Sequence, residues 1–190
     1  MKTIGIILTF VLAVFGNQEA AAQQDRSKAM KQQRVLVVYY SWSGNTEAVA
    51  KRIEAETKAD LFEIELQHPY PTDYSACVDE YRADKRENRV RPLKRKLESI
   101  TDYDTIYLGS PIWSGTIALP VKTFLAEHDL SGKRVVPFVT HGGGGAGSSF
   151  ADMEKLAPHA VFSKGLSLYG SHSGFENDVR KWLEQTRMGK

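Results

Sequence analysis

The stretch Ser41-Trp42-Ser43-Gly44-Asn45-Thr46 lies between an apolar run and an amphipathic segment. The run before it, residues 34–40 (RVLVVYY), is rich in β-branched and aromatic residues, which predicts a buried strand. After the stretch, Val49, Ala50 and Ile53 recur at helical spacing, which predicts a helix with one apolar face. A buried strand that passes through a short polar turn into a helix is typical of an α/β protein, so this stretch decides the fold class.

The same stretch has the composition of an anion site. Four of its six residues carry a hydroxyl or an amide side chain, and the turn opens a helix whose first N–H groups carry partial positive charge. These features predict a phosphate site. The alternative is that Ser43 or Asn45 only caps the helix, but one cap does not require four polar side chains.

Composition and charge exclude several classes of function. The chain has 190 residues, enough for one domain and a leader, and its net charge of +2 is too small to indicate nucleic-acid binding. Cys77 is the only cysteine, so no internal disulfide and no cysteine-based metal site can form. The five histidines show no ligand spacing, and we therefore predict no metal site.

The N-terminus has the pattern of a signal peptide at residues 1–22. A short basic start precedes an apolar segment that is too short to span a bilayer, and Ala20-Ala21-Ala22 supplies a small-residue cleavage site. Residues 23–33 are polar and predict a linker, which leaves 34–188 as the folded domain. The leader predicts a periplasmic or secreted protein that meets a membrane only transiently, during export.

Beyond the first strand and helix, strands and helices alternate. Further strands are predicted at 60–66, 104–110, 133–140 and 160–169, and further helices at 73–87, 120–127, 149–156 and 173–187, the first of these capped by Asp73. This alternation predicts a doubly wound, five-stranded parallel sheet with helices on both faces.

Three unusual loops follow the carboxyl ends of predicted strands, at 41–46, 110–115 and 140–147. In an open parallel sheet, ligands bind beyond these strand ends. Trp113 could cover a planar ring, and the backbone of the glycine-rich third loop could lie close to a ring edge. A phosphate site beside a planar slot predicts a mononucleotide with a large ring.

The three loops resemble those of the flavodoxin-like family. The resemblance is carried by residues 40–46 (YSWSGNT), 103–113 (YDTIYLGSPIW) and 140–143 (THGG), and it extends over essentially the whole chain from residue 34 to 187. It implies the strand order 2-1-3-4-5 and FMN as the cofactor. It also implies that Ser41, Ser43, Asn45 and Thr46 hold the FMN phosphate.

By the same resemblance, the second and third loops line the isoalloxazine ring, with Trp113 packing near it. Ser114 stands where a related subgroup has a second aromatic residue, so Tyr74 or His141 could stack on the ring instead. No side chain is assigned as catalytic, because the flavin does the chemistry. The implied cofactor-binding residues are Ser41, Trp42, Ser43, Gly44, Asn45, Thr46, Ser110, Pro111, Ile112, Trp113, Ser114, Gly115, Thr140, His141, Gly142, Gly143, Gly144 and Gly145.

The resemblance implies electron transfer through the flavin, with a redox protein or a small-molecule acceptor as the partner. Two alternatives stay open: an FMN-dependent NAD(P)H quinone or nitro reductase, and a non-catalytic module that has kept the fold. Residues 82–96 contain eight basic residues against Asp84 and Glu87, which indicates a solvated surface more than a docking patch for an acidic partner.

Overall fold

The structure is a computed structural model that describes residues 34–188. The predicted signal peptide and linker lie outside the described residues. Within the described range, no helix is long and apolar enough to cross a bilayer. The strands are β1 (Val35–Tyr39), β2 (Asp60–Glu63), β3 (Thr105–Trp113), β4 (Thr116–Ile117), β5 (Arg134–His141), β6 (Val161–Phe162) and β7 (Leu166–Tyr169). The α-helices are α1 (Asn45–Thr57), α2 (Tyr74–Glu87), α3 (Leu119–Glu127), α4 (Ser149–Leu156) and α5 (Phe175–Met188).

The sheet confirms the predicted doubly wound order. Its hydrogen-bonded path is β2-β1-β3-β5-β6, and every pair along this path is parallel. The hydrophobic residues form two clusters, one on each face of the sheet. Helices α1 and α5 contribute to one cluster, and α2, α3 and α4 contribute to the other. Helices therefore cover both faces, as the alternation of elements predicts.

The fifth position of the sheet differs from the single strand predicted at 160–169. β6 and β7 both pair with β5, and residues 163–165 interrupt them. Gly165 lies in this break, where an added Cβ would come within 2.5 Å of the Phe150 ring. The chain therefore leaves the strand where α4 presses an aromatic ring against its backbone.

The second predicted loop is a β-hairpin. β3 continues to Trp113, and Trp113 pairs with Thr116 of β4 across the two residues Ser114 and Gly115. Both turn residues have positive φ, 51° and 79°, which is the geometry of a type I′ turn and matches the twist of the flanking strands. The strand therefore extends beyond its predicted end at residue 110, through Pro111 and Ile112 to Trp113.

Gly109 provides a test of the packing at the centre of the sheet. It pairs with Phe138 of β5, and an added Cβ would lie 2.2 Å from the Phe138 ring, which is fully buried. We expect Gly109→Ala to lower the free energy of unfolding by about 1–3 kcal/mol, because the core must shift to accept a methyl group. Urea unfolding measures this change.

The matched control is Gly144→Ala, because an added Cβ there meets nothing within 4 Å and φ is not positive. Its effect on unfolding should stay within about 0.5 kcal/mol. An unchanged urea midpoint for Gly109→Ala would show that the core around Phe138 has more room than the structure indicates.

Candidate functional site

A cavity of about 680 Å³ opens at the carboxyl edge of the sheet, where the three predicted loops meet. The predicted site residues that line it are Trp42, Ser43, Asn45, Pro111, Ile112, Trp113, Ser114, Thr140, His141 and Gly142. The predicted residues that do not line it are Ser41, Gly44, Thr46, Ser110, Gly115, Gly143, Gly144 and Gly145. All three loops therefore contribute to one cavity, although several of their residues support its walls from behind.

The turn at 41–46 leaves the start of α1 without a side-chain cap. Gly44 is the N-cap residue, with φ of 85°, and within residues 34–188 no side-chain hydrogen bond caps the helix. Asn45 Nδ2 instead donates to Ser43 Oγ at 3.1 Å. The Ser41 hydroxyl oxygen is buried and has no hydrogen-bond partner within the described part of the chain. Uncapped N–H groups beside buried and partly exposed hydroxyls form a site suited to an anion.

Thr46 connects this turn to the third loop. Its side chain is buried, and its hydroxyl forms a 2.8 Å hydrogen bond with the hydroxyl of Thr140, near the end of β5. Thr140 lines the cavity, whereas Thr46 lies behind it. The bond holds the start of α1 and the end of β5 at a fixed separation.

The second loop presents Trp113 inside a cluster of tyrosines. The Trp113 ring makes edge-on contacts with Tyr40, Tyr70 and Tyr81, at centroid distances of 5.0–5.8 Å. The neighbouring Ser110 hydroxyl is buried, accepts from the Ala118 N–H at 3.0 Å and donates to the Pro111 carbonyl at 2.8 Å. Trp113 is therefore held by packing on several sides.

In the third loop, the imidazole of His141 lines the cavity with its orientation set by the backbone. His141 Nδ1 accepts from the N–H of Gly143 at 3.1 Å, so in the neutral ring the proton is on Nε2. The ring also makes an edge-on contact with Tyr169 at 6.1 Å. Tyr169 is the last residue of β7 and precedes a fourth loop, residues 170–174, that the sequence did not assign to the site.

The fourth loop and one face of α2 complete the cavity. In the fourth loop, the backbone N–H and the hydroxyl of Ser171 both donate to Asn45 Oδ1, at 3.0 Å and 2.9 Å. Tyr74, which the sequence suggested as an alternative stacking residue, lines the cavity, and the lining residues that the sequence did not indicate are Cys77, Val78, Tyr81, Arg82, Tyr169, Gly170, Ser171 and His172. The spacing of the α2 residues indicates one helix face, but sequence alone does not show which neighbour that face meets.

The cavity walls are rich in aromatic rings. Among the described residues, 34–188, no Asp or Glu lines the cavity, and Arg82 is the only Lys or Arg that does. Burial raises the pKa of the Cys77 thiol, which favours the neutral form. The rings of Trp42, Tyr74 and Trp113 provide flat surfaces in the cavity against which a planar molecule can pack. The cavity is therefore suited to a planar, anionic ligand.

A carboxylate outside the cavity holds the hairpin turn in place. Asp152 accepts hydrogen bonds from the hydroxyls of Ser148 and Thr116, and the Ser148 N–H donates to the Gly115 carbonyl at 2.9 Å. The backbones approach so closely that a Cβ on Gly147 would lie 2.1 Å from the Gly115 oxygen. The second and third loops are thus bound to each other as well as to the sheet.

Comparison with known proteins identifies the family. The family model described as "Flavodoxin" matches residues 34–186. A proposed flavoprotein from Bacteroides eggerthii is 29% identical, with a TM-score of 0.72 over 83% of this chain and 99% of that one. A proposed flavoprotein from Bacteroides uniformis is 28% identical, with a TM-score of 0.70 over 81% and 99%. A flavoprotein in complex with FMN from Lactobacillus acidophilus is 24% identical, with a TM-score of 0.63 over 80% and 99%. Among curated proteins, no match was found.

The Asp152 contacts predict a pH-dependent stability. The Ser148 hydroxyl, followed by the Thr116 hydroxyl, holds the pKa of Asp152 below its ordinary value of 3.8. A lowered folded-state pKa stabilises the protein above the unfolded pKa, and this contribution is lost as the pH falls through the folded value. We expect Asp152→Asn to cost about 1 kcal/mol at neutral pH, with the difference from wild type shrinking below pH 3.8.

Thermal unfolding from pH 7 to pH 3 measures this difference. Glu154→Gln is the control, because it removes an exposed carboxylate from the same helix without breaking a contact to the hairpin. If the unfolding temperatures of both variants differ from that of wild type by the same amount at every pH, the pH dependence does not come from the Asp152 contacts.

Proposed function

The chain belongs to the flavodoxin family, and we propose on that basis that it binds one FMN in the cavity and transfers electrons through it. The observation that carries the proposal concerns residues 34–188: among them, nothing caps the start of α1 with a side chain, and the buried hydroxyl of Ser41 has no hydrogen-bond partner. A phosphate supplies oxygens for both kinds of donor, and the positive end of the helix dipole favours its charge. The absence of carboxylates from the cavity wall also suits an anionic cofactor.

In this proposal the phosphate is held by the turn at 41–46. The hydroxyls of Ser41 and Ser43 and the first N–H groups of α1 are the donors. Asn45 acts through its side-chain bonds to Ser43 and Ser171, which fix the rim of the turn. Thr46 supports the turn from behind, through Thr140.

The ring of FMN would lie between the hairpin and the third loop. Trp113 and Ser114 line one part of the cavity, and Thr140, His141 and Gly142 line another. Bound FMN supplies the ability to accept and release electrons, while the chain orients the ring and excludes water from part of it. Ser110, Gly115 and residues 143–145 would contribute by shaping the backbone around the ring.

Electron transfer between partners is favoured over a reductase activity because the walls of the cavity, as distinct from the surface outside its mouth, offer little charge to hold a second, charged substrate. In the part of the chain that the structure describes, Arg82 is the only Lys or Arg that lines the cavity, and its side chain is largely exposed. A nicotinamide dinucleotide carries several phosphate charges, which a reductase needs to bind in every turnover.

A flavin titration tests the binding proposal. We expect the purified protein to quench FMN fluorescence on titration, and Ser43→Asp to weaken binding by about 100-fold or more, because the added carboxylate repels the phosphate. Ser43→Asn is the matched control, since it has similar size but no charge, and it should bind far more tightly than Ser43→Asp. Unchanged FMN fluorescence with the wild-type protein would leave only the non-catalytic module.

A second measurement separates the carrier from the reductase. We expect the FMN-loaded protein to leave NADPH and NADH unoxidised when they are mixed in a stopped-flow spectrometer, because a carrier needs a separate reductase to supply electrons. The same sample reduced chemically should lose its flavin absorbance, which shows that the bound FMN is redox-active. Rapid oxidation of either nucleotide would assign the reductase activity instead.

A further inference from the structure

The face of α2 that lines the cavity continues past it as a positively charged surface. The lining residues of α2 occupy positions 74, 77, 78, 81 and 82, which is the spacing of one helix face. Continuing that spacing brings Lys85 and Arg86 next to Arg82. At 1.5 Å per residue, both lie within about 6 Å of Arg82 along the helix axis. We call Arg82, Lys85 and Arg86 the basic face.

The charges of the basic face are largely unneutralised. Within residues 34–188, Lys85 has no carboxylate within 4.0 Å. The Arg82 and Arg86 side chains are 70% and 75% exposed, and their ion pairs, with Asp79 and Glu87, are long at 3.8 Å and 4.0 Å. Exposed pairs of this kind contribute little attraction, so the positive charge remains available to a partner.

The remaining basic residues of the 82–96 run lie beyond the end of α2, and four of the five have closer carboxylate partners than Arg82 and Arg86 have. Arg91 is buried and bonded to Asp84 and Glu80, and Arg89 contacts Asp84 and Glu87. Lys94 and Arg95 pair with Glu65, and Lys96 lies 3.9 Å from Glu127. The sequence presented this run as one patch, whereas the structure separates Arg82, Lys85 and Arg86, which continue the cavity-lining face of α2, from the basic residues beyond the end of that helix.

The basic face also determines the charge at the cavity mouth. The loop segments around the cavity, 41–46, 110–115, 140–147 and 169–174, contain no Asp, Glu, Lys or Arg. An approaching molecule therefore meets mostly neutral loops on one side and the basic face on the other. Charges of one sign beside a cleft attract oppositely charged partners and raise association rates by about 10–10³-fold.

We propose that the basic face docks an acidic redox protein, which exchanges electrons with the cofactor at the cavity mouth. This inference rests on the proposed function. A protein is favoured over an anionic lipid surface because the partner must bring a redox group to the mouth, and lipid head groups carry none. The attraction is electrostatic, so it should weaken as salt shortens the Debye length to about 10 Å at 0.1 M.

The test uses two protein probes that differ in surface charge and share one redox group, native cytochrome c and succinylated cytochrome c. Succinylation replaces lysine ammonium groups with carboxylates and makes the surface acidic. We expect the full chain, with or without FMN, to bind succinylated cytochrome c about 10-fold more tightly than native cytochrome c at low salt. The preference should disappear as salt is added. Calorimetry measures both affinities without requiring electron transfer.

Two double variants distinguish the effect of where the removed charges lie from the effect of lowering the net charge of the protein. Lys85→Gln with Arg86→Gln removes two positive charges from the basic face without altering a residue that lines the cavity. Arg180→Gln with Lys181→Gln removes the same charge from α5, on the opposite face of the sheet. Arg180 also has a loose ion pair, 3.6 Å from Glu56, so the two pairs are closely matched. Circular dichroism and FMN titration check that each variant folds.

A second arm follows electron transfer from chemically reduced, FMN-loaded protein to the same two probes. Each haem iron takes one electron, so two cytochromes reoxidise one fully reduced FMN, and the flavin protons pass to water. We expect reduction of succinylated cytochrome c to be faster than that of native cytochrome c at low salt, and the Lys85/Arg86 variant to lose this advantage. The Arg180/Lys181 variant should keep it.

The proposal is overturned if native cytochrome c binds as well as the succinylated form, or if both double variants lose the preference equally. It is also overturned if vesicles of phosphatidylglycerol and phosphatidylcholine bind the protein through Lys85 and Arg86, because the face would then serve a membrane. Failure to bind FMN contradicts the proposed function and leaves the calorimetric comparison intact, so the two failures are distinguishable.

Discussion

The buried hydrogen bond between the hydroxyls of Thr46 and Thr140 is the contact on which the arrangement of the site depends. It joins the first turn of α1 to the end of β5, at 2.8 Å, and both side chains are almost fully buried. Leaving a buried hydroxyl without its partner lowers the stability of the fold by about 1–3 kcal/mol, so separation of the two loops is unfavourable. The turn at 41–46 and the loop that begins at Thr140 are therefore held together before any ligand binds.

The hairpin is attached to the same unit by a second set of contacts. Asp152 and Ser148, at the start of α4, bind the turn through Thr116 and the Gly115 carbonyl. Gly147 permits the close approach of the two backbones. A site whose loops are already in place loses less conformational entropy when it binds a ligand, so these contacts favour affinity without touching the ligand.

A buried ion-pair network fixes the rotation of α2, and with it the direction of the basic face. Asp84 is fully buried, accepts from the Tyr70 hydroxyl at 2.7 Å and pairs with Arg91. Tyr70 in turn packs against Trp113 at 5.0 Å. Breaking such a buried pair costs about 3–5 kcal/mol, because it leaves one charge uncompensated. The same network that positions Trp113 thus directs Tyr74, Tyr81 and Arg82 towards the cavity.

The sequence by itself determined the features that depend on local order: the strand–turn–helix at 34–57, the Asp73 cap of α2, and the alternation that requires a parallel sheet. It also placed three loops at one edge, because parallel strands end on the same side. Only the tertiary structure decided that the Ser148 N–H binds the Gly115 carbonyl, that Ser171 orients Asn45, and that one face of α2 closes the cavity. These features depend on contacts between residues as far apart as 126 positions in the sequence. The local pattern of apolar and polar residues shows that a helix has a buried face, but it does not show which other element packs against that face.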